Sequence, residues 1–207
     1  MFTIFNGRPQ RYFELFGALM DPYEPEKFMA LKATIFKADL SVADLDRNVY
    51  ADFSLTLAQH PSENDARMMV RLLAFMLFAD ERLEFGKGLS TDDEPDLWLK
   101  DLTGAIDLWI YVGQLDERWL RKASGRAGRV VVLAFGDRAT DVWWEQNRAT
   151  LQKLANLTVL RIAGDDAQAL GALAKRSMVL QCMIQDGEML ITGGDESLRI
   201  VPEKLTS

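Results

Sequence analysis

Asp96 follows Pro95 at the head of the stretch EPDLWLKDLTGAIDLWIYVG, residues 94–113, and Asp107 stands in its second half. A carboxylate at the start of a short strand suits Mg²⁺, which takes one or two carboxylates and completes its shell with water and phosphate oxygens. A metal held that way activates water and stabilises a phosphoryl transition state. One carboxylate alone makes a weak site, so the neighbours of Asp96 decide. A second chemistry-bearing segment holds Arg118, Arg121, Lys122, Arg126 and Arg129, with no acid between the first and the last. Arg118, Arg121 and Lys122 share a helix face with Gly125, and such a face can grip phosphates without reading bases. The alternative is a solvated helix whose charge balances Asp116, Glu117 and the acidic run STDDEP.

Residues 94–113 have the pattern of a hairpin turning at Thr103-Gly104. In that register Asp96 lies opposite Tyr111, Trp98 opposite Trp109 and Lys100 opposite Asp107. Side chains alternate across a strand, so these six share one face. Leu97, Leu99, Ile106, Leu108 and Ile110 take the other face, towards the core. The polar face is open to two readings. Lys100 and Asp107 can form a cross-strand ion pair beside stacked tryptophans, or Asp96 can serve as a metal ligand.

The other elements build the frame. Residues 31–42 and 47–59 have the pattern of two antiparallel strands joined at ADLDR. HPSEND signals a helix start with Ser62 as N-cap and acids in the first turn. The helix from Glu63 to about Asp80 buries Met69, Leu72, Leu73 and Met76. Asp116 to about Ala127 is the basic helix, and Trp119 on it is expected in the core. RVVVLAF and NLTVLRI suit buried strands. A helix over 137–154 places Trp144, Leu151 and Ala155 on one face, and of Trp143 and Trp144 one is expected in the core. Residues 165–175 are helical, and SMVLQCMIQDGEMLIT is a hairpin turning at Asp186-Gly187. Strands and helices alternate from Asp107 onward. The fold class is therefore α/β: a mixed β-sheet with flanking helices and antiparallel edges.

Composition narrows the function classes. The chain has 207 residues, 48% hydrophobic and 27% charged, the profile of one globular domain. No apolar run reaches the roughly 18 residues that a membrane span needs, and the first residues lack the order of a signal peptide. The net charge of −7 opposes broad nucleic-acid affinity while allowing a local basic patch. Cys182, the one cysteine, sits in an apolar strand-like context. A buried thiol and a reducing cytoplasm are expected, with neither a disulfide framework nor a cysteine zinc cluster. His60, the one histidine, precedes Pro61 and suits a turn or cap better than a nucleophile's base. Gly-rich phosphate loops, GxSxG elbows and EF-hand spacing are absent. Residues 1–28 hold three of the six prolines and five of the eleven phenylalanines. They are either an ordered extension or upstream sequence ahead of a start at Met29.

From Met29 to about residue 201 the chain resembles the YaeQ family of bacterial proteins. The resemblance rests on MALKATIFKADLSVADLDRN, LTLAQHPSENDARMMVRLLAF, ADERLEFGKGLSTDDEPDLW, IDLWIYVG, DERWLRKA and WWEQN. Family members begin where Met29 stands, which favours a start there. The resemblance implies a variation on the PD-(D/E)XK fold of restriction endonucleases, a restriction-endonuclease-like core in a family of unsettled biochemical role. Those enzymes hold Mg²⁺ with carboxylates on a bent hairpin and use a nearby lysine. Pro95-Asp96 matches the PD element. The acid-x-lysine element falls on Tyr111, Val112 and Gly113, so both its acid and its lysine are missing. A phenol with a pKa of about 10 is a poor Mg²⁺ ligand. Lys122 on the following helix stands in for the lysine, and Glu63 corresponds to a helical acid that some members use as a further ligand.

The resulting expectation is a single domain over 29–207, cytoplasmic and monomeric. Its leading function is nucleic-acid association through Arg118, Arg121, Lys122 and Arg126 beside a degenerate nuclease site. One alternative is a Mg²⁺- or Mn²⁺-dependent phosphodiesterase, with Asp96 and Glu63 as ligands and Asp96 and Lys122 as catalytic residues. The other is a protein-interaction module that touches no nucleic acid. Whether the chain is an enzyme stays open at this point.

Overall fold

The computed structural model describes residues 33–86 and 94–206. The expectations for residues 1–28, and for most of STDDEP, lie outside them.

Alternating burial builds the first sheet. β1 (Thr34–Asp44) and β2 (Val49–Gln59) pair antiparallel from Thr34 opposite Gln59 to Asp44 opposite Val49. β8 (Ser177–Gln185) alternates strictly between exposed and buried and runs parallel to β1, with Lys37 opposite Ser177. β9 (Glu188–Gly193) and β10 (Glu196–Ile200) complete the order β10-β9-β8-β1-β2. The β8–β9 hairpin turns at Asp186-Gly187 as expected, with φ of 54° and 75°. Two consecutive positive φ values fit a tight turn matching the strand twist, which Asp and Gly tolerate. The Asp46 carboxylate, from the β1–β2 turn, accepts both N–H groups of that dipeptide at 2.8 Å.

The second sheet has the order β11-β7-β6-β5-β4-β3. Its strands are β3 (Leu83–Phe85), β4 (Leu97–Lys100), β5 (Ile106–Val112), β6 (Ala127–Phe135), β7 (Leu157–Ile162) and β11 (Glu203–Lys204). β5, β6 and β7 are parallel and the rest of the pairings are antiparallel. The fold is thus α/β with mixed sheets, two rather than one.

α1 (Asp65–Leu77) lies in the core shared by the two sheets. The expected Met69, Leu72, Leu73 and Met76 are fully buried. MMVRLLAFML is apolar nearly all round, and such a helix goes to the centre of a protein rather than its surface. α4 (Gly164–Ala172) packs on α1 at close range. A Cβ on Gly171 would come within 3.1 Å of the Ala66 backbone, so a larger residue there would require the helices to give by a few tenths of an ångström.

On its other side the second sheet carries a second core. There Trp109, Tyr111, Val130, Val132 and Val159 meet α2 (Glu117–Ser124) and α3 (Asp137–Leu151). β6 contributes to both cores, which is why RVVVLAF is apolar throughout.

Several local expectations are corrected. Asn64, not Ser62, caps α1, accepting the Arg67 N–H at 2.8 Å, because the Ser62 hydroxyl is engaged with His60 Nδ1 at 2.7 Å. The helix consequently starts at Asp65, leaving Glu63 ahead of it. Trp98 does face Trp109, but a bulge after Leu99 places Lys100 opposite Ile106 instead of Asp107. The cause is a longer loop closed by Asp101, whose carboxylate accepts the Thr103 and Ala105 N–H groups at 2.7 and 2.9 Å. That shift moves Ile106 to the second core. The hairpin face expected to be polar is buried at Trp109 and Tyr111. On α3, Trp143 is the buried indole, anchored by Nε1 donation to Leu115 O at 2.7 Å, while Trp144 is half-buried and Ala155 lies beyond the helix. Trp119 is half-buried, and Leu120 and Ala123 supply the core contacts of α2.

Cys182 is 2% exposed, as its context foretold. Burial, aided by the Asp44 carboxylate, pushes its thiol up to about 12 from 9.0. The unfolded chain therefore releases this proton from about pH 9 while the native protein keeps it. The thiol's contribution is complete below pH 9 and lost as pH rises towards 12, at about 1.4 kcal/mol per pH unit. Denaturant titrations between pH 9 and 11 should show this slope in the parent protein and a shallower one in Cys182→Ala. The native thiol should react with a disulfide reagent only on unfolding.

Candidate functional site

Asn64 fixes the start of α1, and from there Arg67 and Arg71 project one turn apart along the same side of the helix. Glu63, just before the cap, receives both. Its Oε1 accepts Arg67 Nη1 at 2.7 Å and lies 2.8 Å from Arg71 Nε. Its Oε2 accepts Arg71 Nη2 at 2.9 Å and the His60 N–H at 3.3 Å. Arg71 Nη2 also donates to Ala58 O at 2.9 Å, on β2.

Asp96 enters from the far side, immediately before β4. Its Oδ1 accepts Arg67 Nη2 at 2.7 Å, and its Oδ2 accepts the Val112 N–H at 2.8 Å. Arg67 Nη2 reaches Val112 O as well, at 3.2 Å. Two carboxylates and two guanidiniums thus form one cluster in which Asp96, Glu63 and Arg71 are 3%, 8% and 2% exposed. Burial raises the Asp96 pKa; the Arg67 guanidinium, the Val112 N–H and Arg71 oppose that rise.

The structure brings the two expected metal ligands, Asp96 and Glu63, to one place, and sets Arg67 between them. A divalent cation shared by these carboxylates would need the space that the guanidinium fills. It would also face the positive charge of Arg67 and Arg71, and every carboxylate oxygen of the pair already accepts a hydrogen bond. These residues do not fit Mg²⁺ or Mn²⁺. Among the described residues no group of three His, Cys, Asp or Glu is placed to hold a metal.

Tyr111 does not complete this centre. It packs beside Trp109, ring centroids 5.9 Å apart, in the core on the other side of the sheet from α1. The expected shared face fails because Asp96 precedes the strand and turns its carboxylate to Val112, the neighbour that alternates with Tyr111. Lys122 lies on the exposed face of α2, which packs on that same far side. The positive charges that act most strongly on Asp96 are those of Arg67 and Arg71. Neither arginine was picked out in the sequence as a site residue. The signal was present in the spacing: Glu63, Arg67 and Arg71 stand four apart, and Arg71 interrupts an apolar run.

The basic residues Arg118, Arg121, Lys122 and Arg126 are all exposed. Asp116 caps α2 through the Arg118 N–H at 2.9 Å, and Arg121 pairs with Glu117 at 2.7 Å. Exposed pairs of this kind contribute about 0–1 kcal/mol, so a phosphate can displace the acid. Arg118 and Lys122 lie 4.9 and 5.2 Å from the Trp119 ring, and Arg126 lies 5.2 Å from that of Trp109.

Two mixed sheets around a central helix, with a carboxylate pair neutralised by that helix's arginines, define an α/β protein with a buried ion cluster where the helix meets the strands. The chain belongs to the YaeQ family. The family model described as YaeQ protein matches residues 29–202. The Escherichia coli K12 protein named "Uncharacterized protein YaeQ" is 47% identical over 172 residues, covering 83% of this chain and 95% of that one. A crystal structure of the YaeQ protein from Xanthomonas axonopodis pv. citri superposes with a TM-score of 0.82 at 49% identity, covering 84% of this chain and 99% of the other. The YaeQ protein from Pseudomonas syringae gives 0.81 at 35% identity, covering 84% and 97%.

Removing Arg67 should cost more than an ordinary surface change. Arg67→Met leaves Asp96 buried without its counter-charge, and breaking such a pair costs about 3–5 kcal/mol. Chemical denaturation should show a loss of that order. Adding Asp96→Asn should recover part of it, a coupling that independent sites would lack.

Proposed function

We propose that this YaeQ-family protein associates with nucleic acid and acts by binding, on a restriction-endonuclease-like scaffold whose metal site has been given over to an ion cluster. Arg67, with one Nη at 2.7 Å from each of Glu63 and Asp96, supports action without a metal, and the exposed Arg118, Arg121, Lys122 and Arg126 support the binding. A guanidinium there ties the helix to the strands and needs no dissociable ion. A buried carboxylate at the head of a hairpin, with parallel strands beyond it, is the arrangement that the nuclease-like scaffold would require. The binding surface in this reading is α2 and its exit, where Arg118, Arg121, Lys122 and Arg126 meet phosphates. The net charge of −7 confines that attraction to the patch. The protein works as a cytoplasmic monomer in this account.

The test is fluorescence anisotropy with labelled DNA and RNA at about 50 mM and about 200 mM salt. Binding should weaken steeply with salt. Replacing Arg118, Arg121 and Arg126 together by Ala should weaken it by about tenfold or more and flatten the salt slope. No binding at the lower salt overturns the reading in favour of a protein-interaction module. Calorimetric titration of Mn²⁺ should show no saturable binding. Saturable binding that Asp96→Asn abolishes, with metal-dependent cleavage, would restore the phosphodiesterase with Asp96 and Glu63 as ligands, without Lys122, which stands across the sheet from them.

A further inference from the structure

Cations ride on tryptophan rings along one side of the second sheet. Lys100 Nζ sits 3.3 Å from the centre of the Trp98 ring. Trp98 stands edge-on to Trp109, centroids 6.2 Å apart at 89°, and the Arg126 guanidinium lies 5.2 Å from the Trp109 ring. Trp119 on α2 has Arg118 on it at 4.9 Å. Trp98 shares the Trp109 side of the sheet, and α2 covers that same side. The elements are joined, because Arg126 lies just past the end of α2 and its guanidinium returns to Trp109. Trp98 and Trp119 are both half-buried, and both are fixed by strand or helix backbone. Trp109 is 1% exposed, and among the described residues its Nε1 has no hydrogen-bond partner. A purely apolar residue would spare the core that orphaned donor. The indole instead supplies the edge against which Trp98 is held.

We propose that this surface binds single-stranded nucleic acid, with bases stacking on Trp98 and Trp119 and phosphates taking Lys100, Arg118 and Arg126; the proposal rests on the nucleic-acid reading above and names its substrate class. A cation over a ring and a base over a ring use the same face, so the two exchange. An arriving phosphate draws the cation aside, and the base it belongs to covers the indole. Only a single strand offers phosphates and free base faces together. A duplex keeps its base faces stacked and presents a broad phosphate surface. That surface would meet the exposed Glu84 carboxylate, which belongs to the residue directly opposite Trp98 on β3. Its repulsion favours a narrow single-strand track over a duplex footprint.

The full chain is titrated with a labelled oligonucleotide, alone and annealed to its complement, while tryptophan fluorescence is followed with the unlabelled forms. The single strand should bind at least about tenfold more tightly and quench tryptophan emission, whereas the duplex should quench little. Trp98→Leu and Trp119→Leu, each checked for an unchanged melting transition, should weaken single-strand binding by roughly 5- to 150-fold. Duplex affinity should stay within about twofold of the parent's. If either variant fails to fold, the quenching comparison in the parent protein decides. Equal affinity for both forms, or unchanged affinity in the folded variants, overturns the single-strand inference and leaves the basic helix as a duplex-tolerant patch. Absence of binding to either form overturns the broader reading as well.

Discussion

Arg67 holds three separate pieces of chain in one place. It sits in the first turn of α1, yet its guanidinium reaches Glu63 ahead of the helix, Asp96 ahead of β4 and the carbonyl of Val112 at the end of β5. None of those groups tolerates burial alone. A carboxylate in an apolar interior needs a counter-charge, and a strand terminus needs its last N–H and C=O satisfied. Arg67 and Asp96 together meet both needs. Arg71 extends the same arrangement to β2 through Ala58. The central helix is therefore located by charge geometry as well as by fit. An all-apolar cylinder has little to set its rotation in a core; two arginines on one side supply it.

The rest of the architecture follows from that placement. With α1 fixed, its apolar circumference requires cover on several sides, and the two sheets provide it. The second sheet then has a further face to bury, which falls to α2 and α3. Leu120 and Ala123 on α2, and Trp143 and Leu151 on α3, do this with few side chains. Most of α2 is thereby left outside, which is where its arginines stand. The separation matters for function. The carboxylates lie on one side of the sheet and the basic, tryptophan-bearing surface on the other, so they are not two halves of one centre.

Strong periodicity made much of the fold legible. The β1–β2 and β8–β9 hairpins, the apolar strands β6 and β7, and the buried stretch of α1 were all readable, because alternation marks a strand buried on one face and an unbroken apolar run marks an element buried on both. Misreadings came where one polar atom decided the outcome. Ser62 and Asn64 are equally good caps in sequence, and the competing bond from His60 selected Asn64. The hairpin register was right at Trp98 and Trp109 and wrong one residue beyond Leu99, where the Asp101 loop inserts a bulge. The Glu63 and Asp96 pairing came through as a proximity, since both were singled out as acids. What filled the space between them did not come through. Arg67 lies 29 residues from Asp96 in sequence, and no local pattern encodes such a contact.

The parallel pairing of β1 with β8 has a consequence for how the chain comes off the ribosome. Lys37 and Ser177 are about 140 residues apart, and between them lie α1 and nearly all of the second sheet. At 5–20 residues per second, roughly 7 to 28 s pass between the emergence of the two strands. Throughout that interval the edge of β1 that faces β8 has no partner, and the core that holds α1 lacks Met178, Leu180 and Ile184. An open strand edge beside a greasy helix is the kind of surface that attracts other nascent chains. The nascent polypeptide is therefore more open to association than the finished molecule.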